Sequence, residues 1–300
     1  MAELDPLALD IALRKLIYWL CIQTATTIDL AALKQYLSHI NIEVDALAVA
    51  PNASPETRSD TRSETARVDL PVFDSPPADS LAYAYYFDAI LRKGTSASRA
   101  AASECSLRRD FSDPYVYGIL ARESYGLEPD SIPICELLYP DHSLGCLVWD
   151  SAGIWDSGSS DDNATSSPSV FLRTELIAAG CLLYQQITLG NTKTVGPRRY
   201  LRRPAPAHVQ ATVITFLPRR LHRDHELSRA VHLAIENASD AGQPGLRLRL
   251  RRLGELSLRV PGSGLPTFPA PATVTEILRW AGQPDPFCVD PSVSPSSSTG

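Results

Sequence analysis

The sequence predicts an α+β protein, in which a mainly helical N-terminal region is followed by a small antiparallel sheet with flanking helices. Two patterns predict this class. Apolar residues recur at helical spacing through much of residues 1–150, whereas Leu and Arg alternate strictly over Leu246–Arg251, as in a strand. The 44% hydrophobic content is enough for a sizeable core, and Pro- and Ser-rich segments divide the 300-residue chain into about two domains.

Residues 1–50 are predicted to form a helical hairpin. Pro6 suits the first turn of a helix, and Leu7–Ile22 is apolar almost all round. This composition is typical of a helix buried within its own domain, and the alternative is a helix buried against a partner protein. Thr26–Asp29 then resembles a capping arrangement at the start of a second helix.

A linker and a second helical region complete the first half of the chain. Residues 51–78 hold five Pro among many Ser, Thr and charged residues, which predicts a flexible linker. Residues 79–150 are predicted to be mainly helical. Asp79–Gly94 carries suitable cap residues at both ends, and further helices are predicted over Ser96–Arg109 and, as a short one, over Ser131–Tyr139.

Residues 151–168 are rich in Ser, Asp and Gly and are predicted to form a second linker. Residues 169–282 follow as a predicted α+β domain. It opens with a helix over Val170–Leu189, which Gly190 ends, and it closes with a short helix that starts at the capping box Thr273–Glu276.

Strands and a tail complete the second half. The segments His208–Leu217 and Ala230–Glu236 resemble strands in their apolar content. Residues 283–300 hold four Pro and five Ser and are predicted to be a disordered tail.

The Leu–Arg run over Leu246–Val260 is the most distinctive pattern of the chain. Successive side chains of a strand point to opposite faces, so the leucines are predicted to form one apolar face and the arginines the other. The apolar phase resumes at Leu256 and Leu258. Gly254 predicts either a hairpin turn or a bulge within one long strand.

Polyanion binding is one function that this run suggests. Alternate side chains of a strand stand about 6.5–7 Å apart, close to the spacing of successive phosphates along a nucleic-acid strand. Between Lys193 and Arg259 there are 14 basic and 5 acidic residues, whereas residues 1–150 hold 12 basic and 22 acidic residues. The alternative is that the arginines pair with the acidic half or are simply solvated. The predicted polyanion-binding residues are Arg198, Arg199, Arg202, Arg203, Arg247, Arg249 and Arg251.

A second candidate is a metal site at His222 and His225, because two imidazoles three residues apart can share one face. The segment His222–Glu226 suggests metal-assisted hydrolysis as a further alternative. Separately, the order of Glu175, Asp224 and Glu226 resembles the carboxylates of a nuclease core, but no Lys follows the last acid at the required spacing. No third ligand lies at metal-site spacing, and the neighbouring arginines would repel a cation. We therefore predict no bound metal.

No catalytic or cofactor motif accompanies these patterns. The chain has no Gly-x-Ser-x-Gly sequence and no phosphate-binding glycine loop, and its six Cys form no Cys-x-x-Cys pair. The scattered Cys and an N-terminus without a basic segment predict a soluble intracellular protein of the cytoplasm or nucleus, with no membrane span. The sequence therefore predicts a non-enzymatic accessory or interaction protein that needs no cofactor and binds an unknown protein partner.

The second half also resembles known proteins in its layout. An apolar helix with Glu175-Leu-Ile-Ala-Ala, a strand with Ala211-Thr-Val-Ile-Thr and a last helix with Leu278-Arg-Trp280 occur in this order. This layout resembles that of uncharacterised intracellular proteins of filamentous fungi, some of which are encoded beside metabolic gene clusters. The resemblance covers about 110 residues and implies no activity.

Overall fold

The structure is a computed structural model, and it places 5 helices and 12 strands in the residues that it describes. Most of the predicted linkers 51–78 and 151–168, most of the predicted helix 96–109 and all of the predicted tail 283–300 lie outside those residues. The described residues are 6–40, 42–47, 73–93, 106–108, 131–139, 143–151, 154–155, 170–190, 193–194, 200–201, 209–221, 225–238, 246–258 and 267–282.

The helices begin and end close to the predicted positions. They are α1 (Pro6–Ile22), α2 (Leu30–His39), α3 (Ser80–Lys93), α4 (Arg173–Gly190) and α5 (Pro271–Gly282). The predicted N-cap of α3 is confirmed, because the Asp79 carboxylate accepts a hydrogen bond of 2.8 Å from the Ala82 N–H. Asp29 is the N-cap residue of α2, but its side chain makes no capping hydrogen bond. Helix α5 starts ahead of the predicted capping box, because Pro271 is well suited to a first helical position.

The strands are numbered along the chain. They are β1 (Thr27–Asp29), β2 (Ile42–Leu47), β3 (Ser106–Arg108), β4 (Ser131–Leu138), β5 (Leu144–Asp150), β6 (Ile154–Trp155), β7 (Val170–Leu172), β8 (Lys193–Thr194), β9 (Tyr200–Leu201), β10 (Gln210–Leu221), β11 (His225–Ala238) and β12 (Leu246–Ser257). The strand predicted over Ala230–Glu236 lies within β11, and β10 confirms the strand predicted over His208–Leu217 from Gln210 onward. The short helix predicted over Ser131–Tyr139 is wrong, because this segment pairs with β5 as an antiparallel strand.

Eight strands form one mixed sheet in the order β2-β12-β11-β10-β5-β4-β3, with β6 beside β10. Strand β10 pairs in parallel with β5 and β6, and β12 pairs in parallel with β2, whereas the other neighbours are antiparallel. The α+β class is therefore confirmed. The sheet is larger than the predicted one and takes strands from both halves of the chain, because the partners of β10 and β12 come from distant segments that no local pattern identifies.

Both faces of the sheet are covered, so the core has two parts. On β5, Cys146 and Val148 pack with residues of α1, α2 and α4, whereas Leu147 between them packs with residues of α3 and α5. On β10, Val213 and Ile214 divide in the same way. Since neighbouring strand residues point to opposite sides, α4 with α1 and α2 covers one face, the α4 face, and α3 with α5 covers the other, the α5 face.

Strand β12 contains a β-bulge. Its register with β11 pairs Arg252 with Leu233 and Gly254 with His232, so Leu253 is the extra residue. Of the two alternatives that Gly254 left open, the bulge within one long strand is the one observed.

The bulge changes the face on which the leucines lie. Leu248 and Leu250 pack on the α4 face, whereas Leu256 and Leu258 pack on the α5 face. The prediction of one continuous apolar face through Leu258 is therefore wrong. The physical reason is that one extra residue reverses a period of two.

Gly254 allows α5 to lie directly against the sheet. A Cβ atom at this position would stand 2.5 Å from Cζ2 of Trp280, and the indole is only 2% exposed. The ring is also held by a hydrogen bond of 2.8 Å from its Nε1 to Oε1 of Glu276. The contact thus requires a residue without a side chain on the strand.

Helices α1 and α4 pack closely on the other side of the molecule. A Cβ atom at Gly180 of α4 would stand 3.2 Å from Cγ1 of Ile17, so the small residue permits close approach of the two helices. Leu13, Ile17 and Leu20 of α1 are fully buried. Helix α1 is therefore held in place by the side that packs against α4.

Candidate interaction surfaces

The arginines of the Leu–Arg run lie on the α5 side of β12, before the bulge. Arg247, Arg249 and Arg251 are each partly exposed, whereas Leu248 and Leu250 between them are buried on the α4 face. The predicted division into an apolar face and a guanidinium face is thus confirmed for this half of the strand.

Arg247 is paired within the sheet. Its Nε and one terminal nitrogen both donate to Oε2 of Glu43 on β2, at 3.1 and 2.8 Å. The Arg247 side chain is 22% exposed and that of Glu43 is 69% exposed. The alternative that these arginines pair with the acidic half therefore holds for this residue.

The strand register places further acids beside the next arginine. Arg249 is the Cα partner of Asp45 on β2 and of Glu236 on β11. Together with Glu43, three acidic residues occupy register positions beside Arg247 and Arg249, whereas the register partners of Arg251 are Ala234 and Leu47. The formal charges of the three acids and the three arginines sum to zero. An array of this composition can stabilise the edge of the sheet, and it attracts a polyanion less strongly than three arginines alone would.

The other predicted polyanion-binding residues, Arg198, Arg199, Arg202 and Arg203, lie outside the described residues. His222 does as well, and His225 is described only as the backbone partner of Leu221 at the start of β11. Within the described part of the chain, no three His, Cys, Asp or Glu side chains are grouped as a metal ion would require.

Glu175, which the sequence suggested as an acid for hydrolysis, serves its own helix. Its Oε1 accepts a hydrogen bond of 2.7 Å from the Leu172 N–H, and the side chain is fully buried. This contact satisfies a backbone donor at the start of α4, in the manner of the glutamate in a capping box.

Buried polar side chains that the sequence did not single out join α4 to the sheet. Gln185 Nε2 donates to Glu136 Oε1 at 3.0 Å, and Gln186 Nε2 donates to the Gln210 carbonyl at 2.7 Å. The only signal in the sequence is the presence of these polar residues inside otherwise apolar segments. Their contacts fix the position of α4 along β4 and β10.

The buried thiols of the sheet are unsuited to nucleophilic chemistry. Burial, with a further contribution from Asp88, raises the pKa of Cys135. Burial also raises the pKa of Cys146 well above its ordinary value. Both thiols therefore stay protonated near neutral pH, and the thiolate is the reactive form.

The outer side of α1 carries a group of exposed apolar residues. Ile11 is 44% exposed, Tyr18 is 55% exposed and Ile22 is 52% exposed, and the exposed Lys15 lies between them. The prediction that α1 is buried in its own domain therefore applies to its inner side, whereas its outer side is exposed. We name the four residues Ile11, Lys15, Tyr18 and Ile22 the outer stripe.

None of the described helices is long and apolar enough to cross a membrane. No protein-family model, curated protein or solved structure matches the chain. The resemblance of the second half to fungal intracellular proteins stays a prediction.

Proposed function

We propose that this chain is a non-enzymatic interaction protein, which docks through the outer stripe of α1 onto an apolar helix face of a protein partner. The supporting observation is that Ile11, Tyr18 and Ile22 are about half exposed on a helix whose other side is buried. Neighbouring exposed apolar side chains rimmed by polar residues are typical of interaction sites. A helix face of this kind suits helix-to-helix recognition.

The rigidity of α1 supports the proposal. Its inner residues are buried, and Trp19 stacks on Tyr36 of α2 with ring centroids 4.5 Å apart. Arg14 donates to the Tyr184 hydroxyl of α4 at 2.6 Å. A surface that is already ordered loses little conformational entropy on binding, so a small number of contacts is sufficient for recognition.

Polyanion binding has less support. The Arg247 guanidinium donates twice to Glu43, and Arg249 lies in register with two acidic residues. A phosphate bound at Arg247 would have to displace the contact with Glu43. Metal-assisted hydrolysis at His222 and His225 has no supporting observation in the described residues, and Glu175 caps α4.

The test is cross-linking mass spectrometry on the full-length chain in cells of its source, read out at Lys15. The test variant replaces Ile11, Tyr18 and Ile22 with Ser. The matched control replaces three exposed residues of the neighbouring helix α2, Lys34, Gln35 and His39, with Ser. We expect cross-links from Lys15 to a second polypeptide in the wild type and the control, and their loss in the test variant.

Two results would overturn the proposal. One is an unchanged set of Lys15 cross-links in the test variant, with circular dichroism showing the same fold. The other is a turnover detected by activity profiling that a single side-chain substitution abolishes, since this would make the chain an enzyme.

A further inference from the structure

The outer stripe has a symmetric spacing. Its residues stand at positions 11, 15, 18 and 22, so the intervals are four, three and four, and both ends are Ile. At 3.6 residues per turn, all four lie within about 60° of one another around the helix axis. The stripe is therefore straight and narrow, with Lys15 and Tyr18 on either side of its centre.

This spacing makes the stripe complementary to itself. In an antiparallel pair of α1 helices related by a two-fold axis at the centre, Ile11 of one copy lies level with Ile22 of the other. Lys15 of each copy then lies level with Tyr18 of the other, and an ammonium group is attracted to the face of an aromatic ring. Apolar residues meet apolar residues, and each charge meets an aromatic face.

We propose that the occupant of the outer stripe is α1 of a second copy of this chain, so that the protein forms an isologous antiparallel dimer. The proposal rests on the proposed function and names its partner. A two-fold contact uses the same patch on both subunits, which is the property that the spacing of the stripe provides. A parallel pair would instead place Lys15 beside Lys15, where the like charges repel each other.

The dimer is expected to be weak. Helix α1 has 17 residues and is about 25 Å long, so a contact along it buries an area at the low end of the range for specific interfaces. We expect a dissociation constant on the order of 10–100 µM.

A membrane surface is the other class of occupant. Helices that lie in a bilayer interface have a large apolar face and an opposite polar face that is rich in Lys and Arg. The outer stripe is narrower, and the opposite side of α1 is buried against α4. These observations favour the protein partner.

The first experiment is sedimentation equilibrium of the full-length chain from 1 to about 300 µM, a range set by the expected affinity. We expect concentration-dependent dimerisation of the wild type and of the Lys34→Ser, Gln35→Ser, His39→Ser control. We expect at least tenfold weaker association of the Ile11→Ser, Tyr18→Ser, Ile22→Ser variant. A wild-type chain that stays monomeric throughout would overturn the proposal.

The second experiment tests the antiparallel register by disulfide formation. Ile11 and Ile22 of one chain are about 16 Å apart along the helix, whereas a disulfide needs Cα atoms within about 7 Å. A mixture of Ile11→Cys and Ile22→Cys chains should therefore cross-link, and each variant alone should not exceed the wild-type background. Preferential self-linking of Ile11→Cys would indicate a parallel pair and would overturn the proposal.

The outcomes separate this proposal from the proposed function. A monomeric chain whose Lys15 still cross-links to a different protein in cells would overturn the dimer and leave the proposed function standing. A monomeric chain that co-sediments with phosphatidylserine vesicles through the stripe would overturn both. Co-sedimentation is measured on the wild type, the stripe variant and the α2 control, so loss in the stripe variant alone identifies the surface.

Discussion

The two halves of β12 carry the same alternation of leucines, yet they serve opposite faces of the sheet. Before the bulge, Leu248 and Leu250 pack on the α4 face, and the intervening arginines lie toward the edge strand β2 on the α5 side. After the bulge, Leu256 and Leu258 pack on the α5 face. Leu253, the extra residue of the bulge, has no partner in the register and produces this difference. An apolar pattern with a period of two therefore specifies a face only as far as the next irregularity in the pairing.

The largest expected effect comes from truncating one leucine in each half. Leu250→Ala and Leu258→Ala should each lower the free energy of unfolding by about 2–5 kcal/mol, because both side chains are 1% exposed. Hydrogen exchange distinguishes the faces. We expect faster exchange in the helices of the α4 face for Leu250→Ala and in those of the α5 face for Leu258→Ala. Faster exchange in the same helix for both variants would contradict the change of face.

A side chain at Gly254 tests the close contact that follows the bulge. Gly254→Ala should lower the free energy of unfolding by about 1–3 kcal/mol, because the new methyl group would overlap the buried Trp280 ring. Ser257→Ala, at an exposed position of the same strand half, is the control and should have little effect. In a Trp280→Phe background, Gly254→Ala should lower the free energy of unfolding by less than it does in the wild type, because the smaller ring leaves room for the methyl group. Urea denaturation measures all four differences, and equal losses for Gly254→Ala and Ser257→Ala would contradict the contact.

The two faces should respond alike to alkaline pH, because each contains a buried thiol. Burial raises the pKa of Cys146 on the α4 face and of Cys135 on the α5 face, so the folded chain keeps protons that the unfolded chain releases above pH 9. Stability from each thiol is thus complete below pH 9 and falls by about 1.4 kcal/mol per further pH unit. The free energy of unfolding, measured by urea denaturation between pH 7.5 and about 10, should fall less steeply with pH in Cys135→Ala and in Cys146→Ala than in the wild type. Unchanged slopes would contradict this account.

The smallest effect is expected at the edge of the sheet, before the bulge. Arg247→Ala should lower the free energy of unfolding by less than about 1 kcal/mol, because its partner Glu43 is 69% exposed and water screens the pair. The exchange Arg247→Glu with Glu43→Arg should restore most of the stability that Arg247→Glu alone removes. Denaturation at low and high salt measures the difference. A loss of several kcal/mol, insensitive to salt, would contradict a surface ion pair.

Several features of the fold could be predicted because they depend on neighbouring residues. The start of α3 follows from Asp79, and the strand character of β12 follows from its strict alternation. The helix predicted over Ser131–Tyr139 was wrong for the opposite reason, because the structure of this segment depends on residues far away in the chain. Its hydrogen bonds go to β5, and a local pattern does not reveal that pairing.

The candidate surfaces likewise include features that the sequence predicted and features that depend on contacts between distant segments. The sequence identified the arginines of β12 and offered pairing with the acidic half as an alternative. It did not identify Glu43 as the partner of Arg247, because the two are 204 residues apart and meet only through parallel pairing of β2 with β12. The outer stripe was hidden because α1 is apolar on nearly all sides, and only its packing on α4 distinguishes the inner side from the outer one.

By itself, the sequence determined the α+β class, the approximate positions of α1 to α5 and the apolar and basic alternation of β12, since backbone propensity, capping and side-chain periodicity act over a few residues. Only the tertiary structure decided which face each leucine covers, which acid meets Arg247 and which side of α1 stays exposed. The physical reason is that these depend on strand partners and helix contacts far apart in the chain, whose free energy arises only when the segments meet.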